Sequence, residues 1–254
     1  MNTTAFRNMH NQSRPLLIAN VWDVASANAA EKLGFQAIGT SSAAVAAMLG
    51  YEDGEQMTFE ELYFIVNRIR SSCKLPLSVD IENGYSEDPL VTAEYIKRLA
   101  AIGVVGINIE DSSIGECRSL MDAHTFAGFL SAVKCQINKD NTDIFINVRT
   151  DTFLLTDKDQ AIETCERAGL YKAAGADGLF VPGVTKPEDI QLIARSSKLP
   201  LNVMCMPGLP EFEYLNRLGV RRISMGNFVF DCQQAKLENT LKQIQSNGSF
   251  ASVF

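Results

Sequence analysis

Eight times along this chain a short, β-branched, apolar run gives way to a longer segment with helical spacing, and few folds accept that rhythm. The runs are PLLIAN (15–20), QAIGTS (36–41), LPLSVDI (75–81), GINIE (106–110), IFINVR (144–149), GLFVP (178–182), LPLNVMC (199–205) and RRISMG (221–226). Between them lie segments such as VASANAAEKLG, TFEELYFIVNRIRSS and LVTAEYIKRLAAIG, with Gly or Leu-Pro at the joins. Such alternation demands a parallel sheet with right-handed crossovers. Eight repeats of roughly thirty residues match a closed barrel better than an open, doubly wound sheet. The expectation is α/β: one (β/α)8 TIM barrel spanning 1–254, with a last helix at about 228–246. The segment after the first strand, NVWDVASAN, lacks the Gly-rich fingerprint of a dinucleotide site.

Net charge is −7, so the field of the molecule repels nucleic acid and anionic membrane surfaces, and neither is an expected partner. The start, MNTTAFRNMHNQSRP, is polar, and no later run is long enough to cross a bilayer, which makes a cytoplasmic location the expectation. Six cysteines are scattered singly, without zinc-site or disulfide spacing, and read as reduced thiols that mostly fill the core; only Cys117 lies close to a candidate active-site loop. The two histidines, His10 and His124, are both expected at the surface. Proton transfer is then left to carboxylate, tyrosine, cysteine or metal-bound water.

In a TIM barrel the chemistry sits at the carboxyl ends of the strands. The third strand ends SVDIENGY, and the two-residue period of a strand would aim Asp80 and Glu82 at one face. Two such carboxylates are unfavourable together unless one is protonated or a cation lies between them. The fourth strand supplies Glu110 next to Asp111, of which one faces inward; Asn108 and Glu110 share a face, so Glu110 is chosen. Three acidic donors with no histidine nearby in sequence suit Mg²⁺ or Mn²⁺ rather than zinc. The fifth strand places Asn147 and Arg149 on one face, with the guanidinium at the rim to clamp a substrate carboxylate or to pair with Glu82 or Glu110. The seventh contributes Asn202 by position. After the second strand, small residues and the hydroxyls of Ser41 and Ser42 allow an anionic group to approach.

From PLLIANVWDVASA to GVRRISMGNF these stretches resemble the isocitrate lyase and phosphoenolpyruvate mutase superfamily. Asp80-Ile-Glu-Asn-Gly-Tyr85 is similar to its metal motif, and Ile109-Glu110-Asp111 to its strand-four acid. The resemblance implies that Asp80, Glu82 and Glu110 hold Mg²⁺, some through water. It further implies that Ser41, Ser42 and Ala43 bind a substrate carboxylate, with Arg149 and Asn202 completing the pocket. Asp53, otherwise a turn residue before Gly54, falls where the superfamily has a functional aspartate. The superfamily's Lys-Lys/Arg-Cys-Gly-His lyase loop is replaced by DSSIGECRSLMD, which keeps a cysteine, Cys117, without its neighbours. The mutases' lysine- and asparagine-bearing gate is also missing.

The function expected is a Mg²⁺-dependent lyase that cleaves a C–C bond in a small 2-hydroxy or 2-oxo di- or tricarboxylate through an enolate-like intermediate. Arg149 would orient the substrate, and Cys117 or Asp53 would move the proton. P–C bond chemistry of the mutase type and a non-catalytic 2-oxo acid binder are the alternatives. The resemblance also implies a homo-oligomer, dimer or tetramer.

Overall fold

The structure, a computed structural model, describes residues 2–54, 56–114 and 117–254. Eight parallel strands close into a barrel in sequence order: β1 (Leu16–Val21), β2 (Ala37–Thr40), β3 (Leu77–Asp80), β4 (Gly106–Glu110), β5 (Phe145–Arg149), β6 (Gly178–Val181), β7 (Leu201–Met204) and β8 (Val220–Ser224). β8 pairs with β1 through Leu16 and Arg222, which completes the ring. All eight expected runs form strands, with most ends trimmed and with β1 and β8 each extended by one residue at one end. A two-stranded hairpin, Ser112–Ile114 with Arg118–Leu120, follows β4.

The crossover helices are α2 (Val24–Lys32), α3 (Ser42–Leu49), α4 (Phe59–Ser72), α5 (Pro89–Ala101), α6 (Ala123–Lys139), the short α7 (Thr152–Leu155), α8 (Gln160–Ala173), α9 (Pro187–Ser196) and α10 (Phe212–Leu218), preceded by α1 (Thr3–Met9). Their starts follow local chemistry: Asp23, Ser41, Thr58, Asp88 and Asp122 each accept a hydrogen bond from a backbone N–H of the first turn. The outward faces of the strands, including Val79, Ile107, Ile109, Ile146 and Val148, pack with Leu62, Val66, Ile96, Leu99, Leu130 and Val133 of the helices. This annulus between sheet and helices is the main core.

The barrel interior is different. Only its lower end is apolar, where α1 acts as a plug and Phe6 packs with Leu16, Ile18, Ala37, Val105 and Phe145. Gly106 is required there, because a Cβ would lie 2.9 Å from Phe6 Cε1. His10, expected at the surface, is 2% exposed. It stacks on Phe145 with ring centroids 4.3 Å apart, and its Nδ1 lies 2.9 Å from Phe6 O. The polar segment around it is therefore a cap over an open barrel end, and amphipathic spacing over a seven-residue helix, about two turns, is too short to announce that.

Above the plug the interior turns polar. Asn147 Nδ2 donates to Asn108 Oδ1 (2.9 Å) and Asn202 Oδ1 (3.2 Å), Asn202 Nδ2 donates to Ser224 Oγ (3.1 Å), and Arg222 Nη2 donates to Asn108 Oδ1 (3.3 Å). Arg222 Nε and Nη1 have no hydrogen-bond partner among the described residues, and burial pushes this guanidinium down to about 9.

One further expectation, that the cysteines mostly fill the core, is corrected. Of the cysteines only Cys73 is buried; Cys165 is half-buried, and Cys117, Cys135, Cys205 and Cys232 are exposed. These four sit on helix faces or loop positions turned to solvent, which spacing alone did not separate from core positions. His124 is exposed, as expected. The last helix, α11 (Phe228–Asn247), buries Phe230 edge-on against Trp22, with centroids 5.2 Å apart, and otherwise leaves the barrel wall. No helix among the described residues is long and apolar enough to cross a membrane.

Candidate active site

Strand register brings the polar residues of β3, β4 and β5 to one level: Asp80 pairs with Asn108, Asn108 with Asn147, and Glu110 with Arg149. One level up, at the carboxyl ends, the charges gather. Arg149 Nη1 contacts Glu110 Oε2 at 2.9 Å, while its Nε and Nη2 donate to the two oxygens of Asp151 at 2.6 and 2.8 Å. Burial opposes the charge on Arg149, yet Glu110 and Asp151 together hold it above its ordinary value. Burial pushes Glu110 upward, with Arg149 and Arg118 pulling against it.

Asp151 is a residue that spacing did not single out. It occupies the N-cap position of α7 but makes no side-chain cap. Its carboxylate is drawn instead to Arg149, to the Ser112 hydroxyl (3.0 Å) and to Arg118 (3.4 Å). The signal was present in Arg149-Thr-Asp151, where the second residue beyond an inward arginine keeps its parity.

Arg118 and Ser112 are also additions, both supplied by the hairpin. Ser112 Oγ donates to Glu110 Oε1 at 2.8 Å. Arg118 reaches Glu110 at 3.2 Å and Asp53 at 3.0 Å, so the loop after β2, the hairpin and the end of β5 meet over one guanidinium. Asp53 is thus both a turn residue before Gly54 and a member of the cluster.

Asp80 is 7% exposed and makes no ion pair among the described residues; its Oδ1 accepts from Glu82 N at 3.2 Å. Burial pushes its pKa up, Arg149 opposes, and Asp53 and Asp151 add to the rise. Glu82 arrives differently from the strand-period expectation. β3 ends at Asp80, and Glu82 has φ 50°, so the alternation does not extend to it. Its carbonyl accepts from Glu110 N at 2.8 Å, its Oε1 accepts from Tyr85 at 3.3 Å, and its side chain is buried all the same. Gly84, with φ 113° and Thr92 Cγ2 2.9 Å from a would-be Cβ, completes that turn.

Ser41 caps α3, and Ser42 and Ala43 begin it, so their first-turn amides lack intrahelical acceptors at the barrel mouth. Asn202 is buried one layer down, bonded to Asn147 and Ser224. Cys117 is exposed on the hairpin. Among the described residues no three His, Cys, Asp or Glu side chains are gathered in ligating geometry.

A family model described as phosphoenolpyruvate phosphomutase matches residues 6–245. The chain belongs to this family. The phosphoenolpyruvate mutase and isocitrate lyase superfamily it sits in comprises lyases and mutases. An uncharacterised protein of Mycobacterium tuberculosis is 37% identical over 227 residues, 88% of this chain and 82% of that one. An oxaloacetate decarboxylase of Bradyrhizobium sp. (strain BTAi1) is 31% identical over 209 residues, 80% of this chain and 70% of the relative. Among solved structures, a phosphonomutase candidate from Burkholderia cenocepacia J2315 is 37% identical with TM-score 0.90, covering 95% of this chain and 99% of that one. Oxaloacetate acetylhydrolase with its product oxalate is 20% identical with TM-score 0.87, covering 98% and 88%, a likeness of fold.

Proposed function

We propose that this member of the phosphoenolpyruvate phosphomutase family is a Mg²⁺-dependent C–C bond lyase acting on a small 2-oxo or 2-hydroxy di- or tricarboxylate, as a cytoplasmic homo-oligomer. The observation that carries the reading is the pairing of a fixed guanidinium, Arg149 between Glu110 and Asp151, with a buried carboxylate, Asp80, that makes no ion pair among the described residues.

The donor chemistry, carboxylate oxygens with no imidazole or thiolate among them, suits a hard divalent cation once the three side chains converge on it. Asp80 offers a desolvated carboxylate, and Glu82 and Glu110 add oxygen donors from the next turn and strand. Glu110 is already held by two arginines, so it would serve through water, and Mn²⁺ would substitute for Mg²⁺. When bound, such an ion stabilises developing enolate charge without a proton.

The chain's own residues would do the rest. Arg149 orients a substrate carboxylate in bidentate fashion. The first-turn amides of Ser42 and Ala43, with the Ser41 hydroxyl, receive anionic oxygens. Asn202 supports the floor through Asn147. Asp53 on the rim, or Cys117 on the hairpin, delivers a proton to the enolate carbon left when the C–C bond breaks. Similarity to oxaloacetate decarboxylases supports loss, as CO2, of the carboxylate β to a 2-oxo group, which leaves the enolate on the 2-oxo fragment. P–C bond chemistry is the second reading, favoured by the Burkholderia phosphonomutase candidate.

Turnover of oxaloacetate and related 2-oxo acids, followed by pyruvate-type product release with Mg²⁺ and with chelator, tests this. Asp80→Ala is expected to lower kcat/KM by about a thousandfold, about 4 kcal/mol. Turnover indifferent to both chelator and Asp80→Ala would overturn the metal-assisted reading, and preferential turnover of phosphonopyruvate would install the second.

A further inference from the structure

Directly behind the site lies a second polar cluster, on the face of the barrel wall that is elsewhere apolar. Asp111 follows the inward Glu110 and therefore points outward, toward α8, where it is fully buried. Its Oδ2 accepts from Tyr171 OH (2.6 Å), Thr150 Oγ1 (2.7 Å) and Arg167 Nη1 (3.0 Å), and its Oδ1 accepts from Asp151 N (3.2 Å). Arg167 and Tyr171 are one turn apart on α8, so both reach one carboxylate. The same Arg167 Nη1 donates to Met121 O (3.0 Å), and Met121 N donates to Asp111 O (2.8 Å), which fastens the root of the hairpin.

A buried carboxylate with four donors is costly to assemble and strong once satisfied. What it holds is specific: the backbone N–H of Asp151 and the root of the hairpin that bears Ser112 and Arg118. Those are the groups that grip Arg149 and Glu110 from the other side. We infer that Asp111, with Arg167 and Tyr171, is the positioning cluster of the active site. It fixes Asp151, and through it the Arg149 guanidinium, and it ties hairpin placement to that guanidinium. The inference rests on the reading of Arg149 as the substrate clamp.

The test reads Arg149 directly, without ligand. In ¹⁵N-labelled protein the Arg149 Nε–H, 2.6 Å from Asp151, gives a slowly exchanging NMR signal, assigned by its loss in Arg149→Lys. Tyr171→Phe, which removes one donor and keeps the ring, should speed its exchange at least tenfold. Asp111→Asn should do so further. The Nε–H of Arg7, bonded to Asp177 at the opposite end of the barrel, should stay unchanged in both. A merely structural defect would loosen both arginines alike. Unchanged Arg149 exchange in folded Tyr171→Phe overturns the inference, as does equal acceleration at Arg7. If wild-type protein turns over no substrate while the coupling is present, the proposed function fails and the positioning cluster stands.

Discussion

His10 lies against Phe145 and Phe6 with the charge of Arg222 nearby, and burial, aided by that charge, holds the imidazole down at about 3. Its ordinary value is near 6.5, so below that pH the unfolded chain takes up a proton that the folded chain refuses. Stability from this residue is complete above about pH 6.5 and declines as pH falls toward 3, by about 1.4 kcal/mol per pH unit. Urea unfolding at pH 7 and pH 5 should show wild type losing about 2 kcal/mol more than His10→Phe. Equal losses would mean that the ring titrates normally. Buried carboxylates such as Asp111 have raised values and act in the opposite direction, which is why the comparison is made against a variant.

At the scale of elements, the hairpin after β4 is the piece most dependent on charge. Its outer strand is moored by Arg118 to Asp53 and Asp151, and Asp53 is half exposed, so the mooring is screened by salt. Asp53→Asn should accelerate tryptic cleavage after Arg118 severalfold, and added salt should do the same to wild type; cleavage rates insensitive to both would show that the hairpin is held by its root alone. The elements themselves were legible from period and punctuation, since each strand run carries β-branched residues between Gly, Pro or polar joins. Asp80, Glu110, Asn147 and Arg149 were legible for the same reason, because they lie within or at the end of regular strands. Glu82 was singled out by the strand period as well as by motif, and that period does not reach it, because a left-handed turn breaks the alternation. Asp151 follows Arg149 by strand parity, whereas Ser112 and Arg118 sit in the hairpin beyond the barrel strand, where tertiary hydrogen bonds decide direction. Asp111 was set aside as the outward neighbour of Glu110, and outward proved to mean buried against α8.

For the whole molecule, the lower end of the barrel depends on α1. Phe6 is fully buried in a small cluster separate from the main core, and Phe6→Ala should destabilise the protein by about 3–5 kcal/mol, measured as a lowered urea midpoint. A midpoint within about 0.5 kcal/mol of wild type would mean that the plug is dispensable. The interior above that plug is mostly amide, carboxylate and guanidinium, and groups of this kind add little net stability once paired. The apolar layer that keeps the chain folded lies outside the sheet, under the helices. Reactivity and foldedness are therefore housed in different shells of one body. Residues at the mouth can be exchanged during descent without thinning the outer shell, so a lineage built on this barrel is free to revise its chemistry while inheriting its architecture intact.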